Sequence, residues 1–211
     1  MTKPKLPLFV IILSIFFTLI STVELSHHSR PNNRAFIEAS CRATQYPALC
    51  IQYLSSYIGP NVTIKSPREV AQYALSSSLY RAIYTRSFLF KVAKELKGKK
   101  GNDYQAVKDC LDQIDQSVDQ LNMAIIELHR LGHEVSENAL FWHINNVETW
   151  VGSALTGASS CANEFPGRRM SKLKATIKGK VLNVVEATSN ALALFHRFAS
   201  RYQAAGATKK P

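Results

Sequence analysis

The chain has 211 residues, of which 46% are hydrophobic and 19% charged, and it carries a formal net charge of +11. These totals fit one domain with appendages and a core large enough to stand without a metal. They exclude the low-hydrophobicity, high-charge regime of a disordered chain.

At the N-terminus, Lys3 and Lys5 precede Leu8 to Ile20, a run that is apolar except for Ser14 and Thr18. A basic flank before an apolar run of about 7–15 residues reads as a secretory signal peptide, whereas a membrane-spanning helix needs about 20. Residues 1–26 are therefore assigned to the signal, with cleavage between Ser21 and Arg30, and a secreted, extracellular protein without a membrane anchor in its mature form is expected. Removing residues 1–21 takes away two lysines and no acid, which leaves 24 basic side chains against 15 acidic ones, a charge of +9. Such a charge favours anionic surroundings; for an exported protein these are an acidic polysaccharide rather than nucleic acid, although a role in solubility alone accounts for the charge equally well. Four cysteines in an exported chain predict two disulfides, and counting leaves three pairings open. The sequon Asn61-Val62-Thr63 lies beside Gly59-Pro60, a loop setting that predicts glycosylation at Asn61.

Every later stretch reads as helix or short loop, with no sustained period-two alternation. Arg34 to Thr44 and Pro47 to Tyr57 predict two short helices ended by Gly59-Pro60. Ser66-Pro67-Arg68-Glu69 then supplies a start signal: a capping serine, proline at the first helical position, and a glutamate that closes a capping box. That helix runs to about Leu96, before Gly98, with a weak seam through Ala71, Leu75, Ala82, Leu89, Val92 and Leu96. The next, from Asp103 to Gly132, carries Val107, Leu111, Ile114, Val118, Leu121, Ile125 and Leu128, an unbroken alternation of steps of four and three. A third continues the pattern with Leu140, Ile144, Val147, Val151, Ala154, Ala158 and Cys161. After Pro166-Gly167, a fourth carries Leu173, Ile177, Val181, Val184, Thr188, Ala191, Phe195 and Phe198. These seams specify an all-α fold, an antiparallel up-down-up-down four-helix bundle over residues 66–203. Residues 27–65 form an appended N-terminal helical hairpin and loop, and 204–211 a disordered basic tail.

Catalysis finds little footing. The chain has no His-Glu-x-x-His, Gly-x-Ser-x-Gly, phosphate-cradling glycine loop or Cys-x-x-Cys. His129 and His133 stand four apart but have Gly132 between them and no third ligand, so no metal or other cofactor is implied. Asp109, Asp112, Asp115 and Asp119 fall on one flank of the second bundle helix, with few bases nearby in sequence. Such a stripe is ordinarily a solvated face; the sharper reading is a docking surface for a basic enzyme. Phe141, Trp142 and Trp150 read as core and flank packing. The run Arg168, Arg169, Lys172, Lys174, Lys178, Lys180 reads as a solvated face, with contact to a polyanion as the alternative.

Cys41-Arg42-Ala43-Thr44-Gln45-Tyr46-Pro47-Ala48-Leu49-Cys50 resembles the opening of the plant invertase/pectin methylesterase inhibitor family, particularly its pectin methylesterase inhibitor branch. The similarity continues through Ala106 to Cys110, Ser117 to Leu121, Val147 to Val151, Ala154 to Thr156, Ser160-Cys161 and Ser189 to Leu194. The resemblance implies pairings Cys41–Cys50 and Cys110–Cys161. It also implies a non-enzymatic protein of the cell wall that binds its target one-to-one and covers the active-site cleft. Carried over by position, partner-binding residues fall on Asp112, Gln116, Asp119, Ser160 and Asn163, where Gln116 and Asn163 are neutral departures from the family pattern. The invertase-inhibiting branch typically uses a Pro-Lys-Phe element, and the single Pro-Lys pair here, Pro4-Lys5, lies in the signal. Pectin methylesterase is thus the expected partner, acid invertase the alternative, and weak contact with acidic pectin a further possibility; no nucleic acid is implied.

Overall fold

The computed structural model describes residues 31–59, 62–98, 102–131, 136–167 and 170–207. The expected signal, the Asn61 glycosylation site, Gly132, His133, Arg168 and Arg169 lie outside them. Six helices follow in order: α1 (Pro31–Cys41), α2 (Pro47–Tyr57), α3 (Pro67–Leu96), α4 (Asn102–Arg130), α5 (Glu137–Asn163) and α6 (Lys172–Ala207). No strand occurs among the described residues. The last four contain 27–36 residues, so they span about 40–54 Å at about 1.5 Å per residue, and α6 exceeds the length its seam predicts. It also continues to Ala207, past the boundary at 203 expected for the bundle.

Local sequence explains where these helices start and stop. Ser66 accepts a hydrogen bond from the Glu69 amide at 3.2 Å, and Pro67 occupies the first helical turn, where a missing amide costs nothing. The return arm of the capping box differs from expectation: the Glu69 carboxylate accepts from the Lys65 amide at 2.7 Å rather than from Ser66. Past the end of α3, Gly98 takes φ +100°, a left-handed conformation that side-chain-bearing residues rarely adopt. The first helix begins at Pro31, three residues before its predicted start, and stops at Cys41, where Thr44 folds back on the Cys41 carbonyl.

The seams close into a ring in which α3 packs on α4 and α6, and α5 packs on α4 and α6, with no packing across either diagonal among the described residues. Paired contacts fix the directions. Arg86 meets Asp115 and Arg68 meets the Leu128 carbonyl, so α3 and α4 are antiparallel. Cys110 bonds Cys161 while Glu127 meets His143, so α4 and α5 are antiparallel; Ser78 meets Thr188 and Thr85 meets the Lys180 carbonyl, so α3 and α6 are too. Seam residues are buried, including Ile114, Leu121, Val147, Val151, Ala158, Ile177, Val181 and Phe195. Leu173 departs from its predicted place and lies exposed in the first turn of α6. The weak α3 seam has a physical explanation. Its missing heptad positions, between Leu75 and Ala82 and between Ala82 and Leu89, are Ser78 and Thr85, both buried. Their hydroxyls are satisfied across the interface, Ser78 to Thr188 at 2.5 Å and Thr85 to the Lys180 carbonyl at 3.4 Å.

The α1–α2 hairpin is stapled by a disulfide between Cys41 and Cys50, whose Cα atoms are 5.7 Å apart. Its attachment to the bundle depends on the buried amide of Asn190 in α6. That amide accepts from the Tyr46 backbone N–H and donates to the Tyr46 carbonyl, both at 3.0 Å. Arg197 reaches the Ser40 carbonyl at 2.7 Å, and Ser189 reaches Gln45 at 2.7 Å. The loop leading to α3 is held from the other end of the hairpin, since Asn33 donates to the Val62 carbonyl and accepts from the Ile64 amide.

Between α4 and α5 three links hold the pair at intervals along its length. Near the start of α4, Cys110 and Cys161 are bonded with Cα atoms 4.4 Å apart. Further along, Ser117 hydrogen-bonds the Ala154 carbonyl at 3.0 Å, and a Cβ added at Gly157 would sit 3.0 Å from the Ser117 hydroxyl and 3.2 Å from the Gln113 carbonyl. Glycine suits that position because a side chain there would press on Ser117 and on the α4 backbone, which would have to give by a few tenths of an ångström. Toward the far end, Glu127 is buried between the helices. Its carboxylate meets His143 Nδ1 at 2.5 Å, accepts from Asn146 at 3.1 Å, and takes a charge-assisted bond from Arg130 at 3.2 Å.

Two outcomes follow from these links. The Cys110–Cys161 bridge spans 51 positions of sequence. By chain entropy its removal in Cys110→Ser/Cys161→Ser should cost about 4 kcal/mol and lower Tm by about 8–16 °C; calorimetry would detect this, and an unchanged Tm would refute it. Burial pushes the Glu127 carboxyl up, but the hydrogen bonds from Asn146 and His143, with the charges of His143 and Arg130, outweigh it and hold the group below its ordinary value. A carboxyl that titrates lower in the folded state contributes its full stability above the unfolded value of about 4.3 and loses it as pH falls through the folded value. Melts taken from about pH 6 down to about pH 3 should therefore show a steeper acid loss in the native protein than in Glu127→Gln. Equal slopes would count against the linkage.

Candidate partner-binding face

The positions singled out in the sequence come from two adjacent helices. Asp112, Gln116 and Asp119 recur at steps of four and three on α4, about 40–60° apart at 100° per residue, and all three are exposed. Ser160 and Asn163 project from the last turns of α5 and are likewise exposed. The Cys110–Cys161 bridge fixes those last turns against the start of α4, so Ser160 and Asn163 flank the same stretch of helix pair as Asp112. All five are exposed residues of the α4–α5 pair, and Asp112 also lines the groove toward α3.

The expected acidic stripe is less uniform than its sequence suggests. Asp115 is turned toward α3 and pairs with Arg86 at 2.9 Å, and Asp109 accepts from Gln105 at 2.6 Å. One base, Arg86 from another helix, thus neutralises part of the stripe, contrary to the reading from linear sequence. Asp112 and Asp119 have neither an ion pair nor a hydrogen bond among the described residues. They are the two carboxylates of the stripe left open to an incoming cation.

Alongside them lie uncharged polar side chains. Thr149, Ser153 and Thr156 are exposed on α5. Gln113 and Gln120 stand a heptad apart on α4 toward α5, and each has a buried side-chain oxygen without a hydrogen-bond partner among the described residues. Such a face can present preformed donors and acceptors to another protein. It has no enclosed pocket, no nucleophile–base pair and, among the described residues, no group of three or more metal-ligating side chains. His129 is engaged with Gln72 at 3.1 Å rather than with a ligand set.

Aromatic residues depart most from the sequence reading. Trp150 packs on the core as expected, but Trp142 is 59% exposed and Phe141 39% exposed, so neither is core. Both lie in the first turns of α5, turned about 100° and 200° from the seam residue Leu140 and so away from the core. Trp142 is set edge-on to His143, with centroids 5.1 Å apart, and His143 is itself fixed by Glu127. Beside Asp112, an open groove of about 440 Å³ between α3 and α4 holds Phe90, which is 62% exposed. Sequence reasoning missed Phe90. Its signal is its position one residue after the seam leucine Leu89, which turns it 100° from the core.

The basic run also changes character. Lys174 pairs with Asp103 at 2.7 Å and Lys178 bonds the Phe165 carbonyl at 3.1 Å, so two of its members serve structural contacts. Lys180 instead lies over two aromatic rings of α3, 4.6 Å from the Tyr84 centroid and 5.0 Å from that of Phe88. Among the described residues, no helix is long and apolar enough to cross a membrane.

Comparison with known proteins bears on this arrangement. A family model described as plant invertase/pectin methylesterase inhibitor matches residues 35–194. Pectinesterase inhibitor 9 of Arabidopsis thaliana is 40% identical over 188 residues, covering 87% of this chain and 92% of that protein. Pectinesterase inhibitor 11 of the same species is 36% identical over 90% of this chain and 96% of its own length. In three dimensions, the crystal structure of mutant form A of a pectin methylesterase inhibitor from Arabidopsis superposes with a TM-score of 0.58 at 18% identity, covering 76% of this chain and 95% of the other. That likeness concerns the fold alone. With the family model spanning most of the described bundle and two inhibitors matching over nearly the full length, the chain belongs to the plant invertase/pectin methylesterase inhibitor family.

Proposed function

We propose that the protein is a secreted inhibitor that binds a pectin methylesterase one-to-one and covers its active-site cleft with the α4–α5 face. The observation that carries this reading is the pinned helix pair itself. Three cross-links between α4 and α5 stand behind a surface that exposes Asp112, Gln116, Asp119, Ser160 and Asn163. A surface ordered before contact loses little conformational freedom on docking, which favours affinity. The unpaired carboxylates Asp112 and Asp119 suit a basic rim around a cleft, where complementary charge speeds encounter and fixes register. Relatives at 36–40% identity are named pectinesterase inhibitors, which supports this target class. The protein performs no reaction of its own on this reading, and its place is the cell wall.

The deciding experiment adds purified protein to pectin methylesterase and, separately, to acid invertase. Loss of esterase activity with a one-to-one endpoint is expected. Inhibition of invertase alone would transfer the function to the other branch of the family, and activity unchanged in both would end the proposal. Within the esterase assay, Asp119→Lys should weaken inhibition by about tenfold or more, with far-ultraviolet circular dichroism unchanged. Undiminished inhibition would return Asp119 to the ordinary solvated surface.

A further inference from the structure

Opposite the α4–α5 face, on the other side of the helical ring, α3 and α6 enclose a groove of about 220 Å³ lined by Tyr80, Arg81, Tyr84, Thr85, Lys180 and Asn183. Tyr80 and Tyr84 stand one helical turn apart and are both well exposed, at 62% and 59%. Tyr57 of α2 extends the aromatic surface, its ring 6.4 Å from that of Tyr80. Exposed rings at this density are unusual on a soluble surface that has nothing to bind.

Charge is distributed unevenly along the same groove. Lys180 is held over Tyr84 and Phe88, and the Arg81 guanidinium lies over the Tyr53 ring at 3.4 Å. Among the described residues neither cation forms an ion pair, and Arg81 Nε has no hydrogen-bond partner. The bordering carboxylate of Glu186 is turned to the Tyr53 hydroxyl, 3.4 Å away. Lys180, which has no ion pair among the described residues, and Arg81, which feels only the Glu186 carboxylate turned away to Tyr53, suit a ligand that combines apolar faces with negative charge. A chain of uronic acid residues has that chemistry, because each pyranose ring offers a C–H face and a carboxylate.

We propose that the α3–α6 groove binds a de-esterified galacturonate chain, with Tyr80 and Tyr84 packed on sugar faces and Lys180 and Arg81 meeting carboxylates. The choice of a galacturonate over other polyanions rests on the proposed target, since hydrolysis of a methyl galacturonate ester leaves a free carboxylate on the polymer. The groove and the α4–α5 face point in opposite directions, so one molecule can hold polymer and enzyme together. An inhibitor built this way accumulates where the enzyme has already worked.

The test uses the full mature chain and an unesterified oligogalacturonate of defined length, titrated by calorimetry and by amide chemical-shift mapping. Its methyl-esterified counterpart and a single-stranded RNA of equal charge serve as comparators. Saturable binding is expected, with shifts clustered on α3 and α6, weakened by about tenfold in Tyr84→Ala and in Lys180→Gln and by esterification of the ligand. Lys172→Gln, in the same basic run but outside the groove, should bind as the native chain does. No binding, native-strength binding by both groove variants, or tighter binding of RNA would each overturn the proposal. Circular dichroism and esterase inhibition, measured on the same variants, separate the two readings. Groove variants that stay folded and inhibitory while losing the oligosaccharide support this site, and oligosaccharide binding without any esterase inhibition would defeat the inhibitor reading alone.

Discussion

The close approach of α4 and α5 is the constraint on which the rest of this molecule depends. At Gly157 a Cβ would crowd the Ser117 hydroxyl at 3.0 Å and the Gln113 carbonyl at 3.2 Å, and the disulfide at Cys110–Cys161 holds a Cα separation of 4.4 Å. Helices at that distance cannot slide or roll without breaking several contacts at once. The outward side chains of the pair therefore keep fixed spacings, although they lie on an open surface with nothing packed over them. Rigidity that elsewhere comes from burial comes here from what lies directly beneath the exposed residues.

Polar groups inside the bundle set its register. Leucine and valine seams alone tolerate a shift of one heptad, because each layer resembles the next. Ser78 against Thr188, Ser117 against the Ala154 carbonyl and Glu127 against His143 do not tolerate it, since a displaced helix would leave buried donors and acceptors unpaired. The Asn190 amide performs the same service for the hairpin by matching both polar groups of one peptide unit at Tyr46. Tyr46-Pro47 is suited to that grip, because the residue before a proline is kept out of the helical region, and Tyr46 sits at φ −126° and ψ 74°.

Much of the architecture was legible in the amino-acid order. Seam residues such as Ile114, Leu121, Val147 and Val181 announce their burial by spacing alone, and Ser66-Pro67 marks a helix start that the structure keeps. Features that depend on a partner from another helix were not legible. Asp115 looked like part of a free acidic stripe because Arg86, which neutralises it, stands 29 positions away. Ser78 and Thr85 looked like gaps in a seam because their hydrogen-bond partners belong to α6. Trp142 and Phe141 were misread because aromatic character predicts burial on average, while their helical phase turns them away from the seam that buries Ile144. The candidate contacts Asp112, Gln116, Asp119, Ser160 and Asn163 came from resemblance rather than from periodicity. What the structure adds is their common exposure on one cross-linked pair.

The position of the second disulfide has a consequence for how the chain withstands cleavage. It joins the beginning of α4 to the end of α5, at the opposite pole from the connection between those two helices. A protease that cuts the chain between Arg130 and Glu137 therefore produces two fragments still tethered by a covalent bond and still zipped along a buried seam. Neither half can diffuse away, and the outward surface survives the cut. The bridge acts as insurance against nicking as well as against heat.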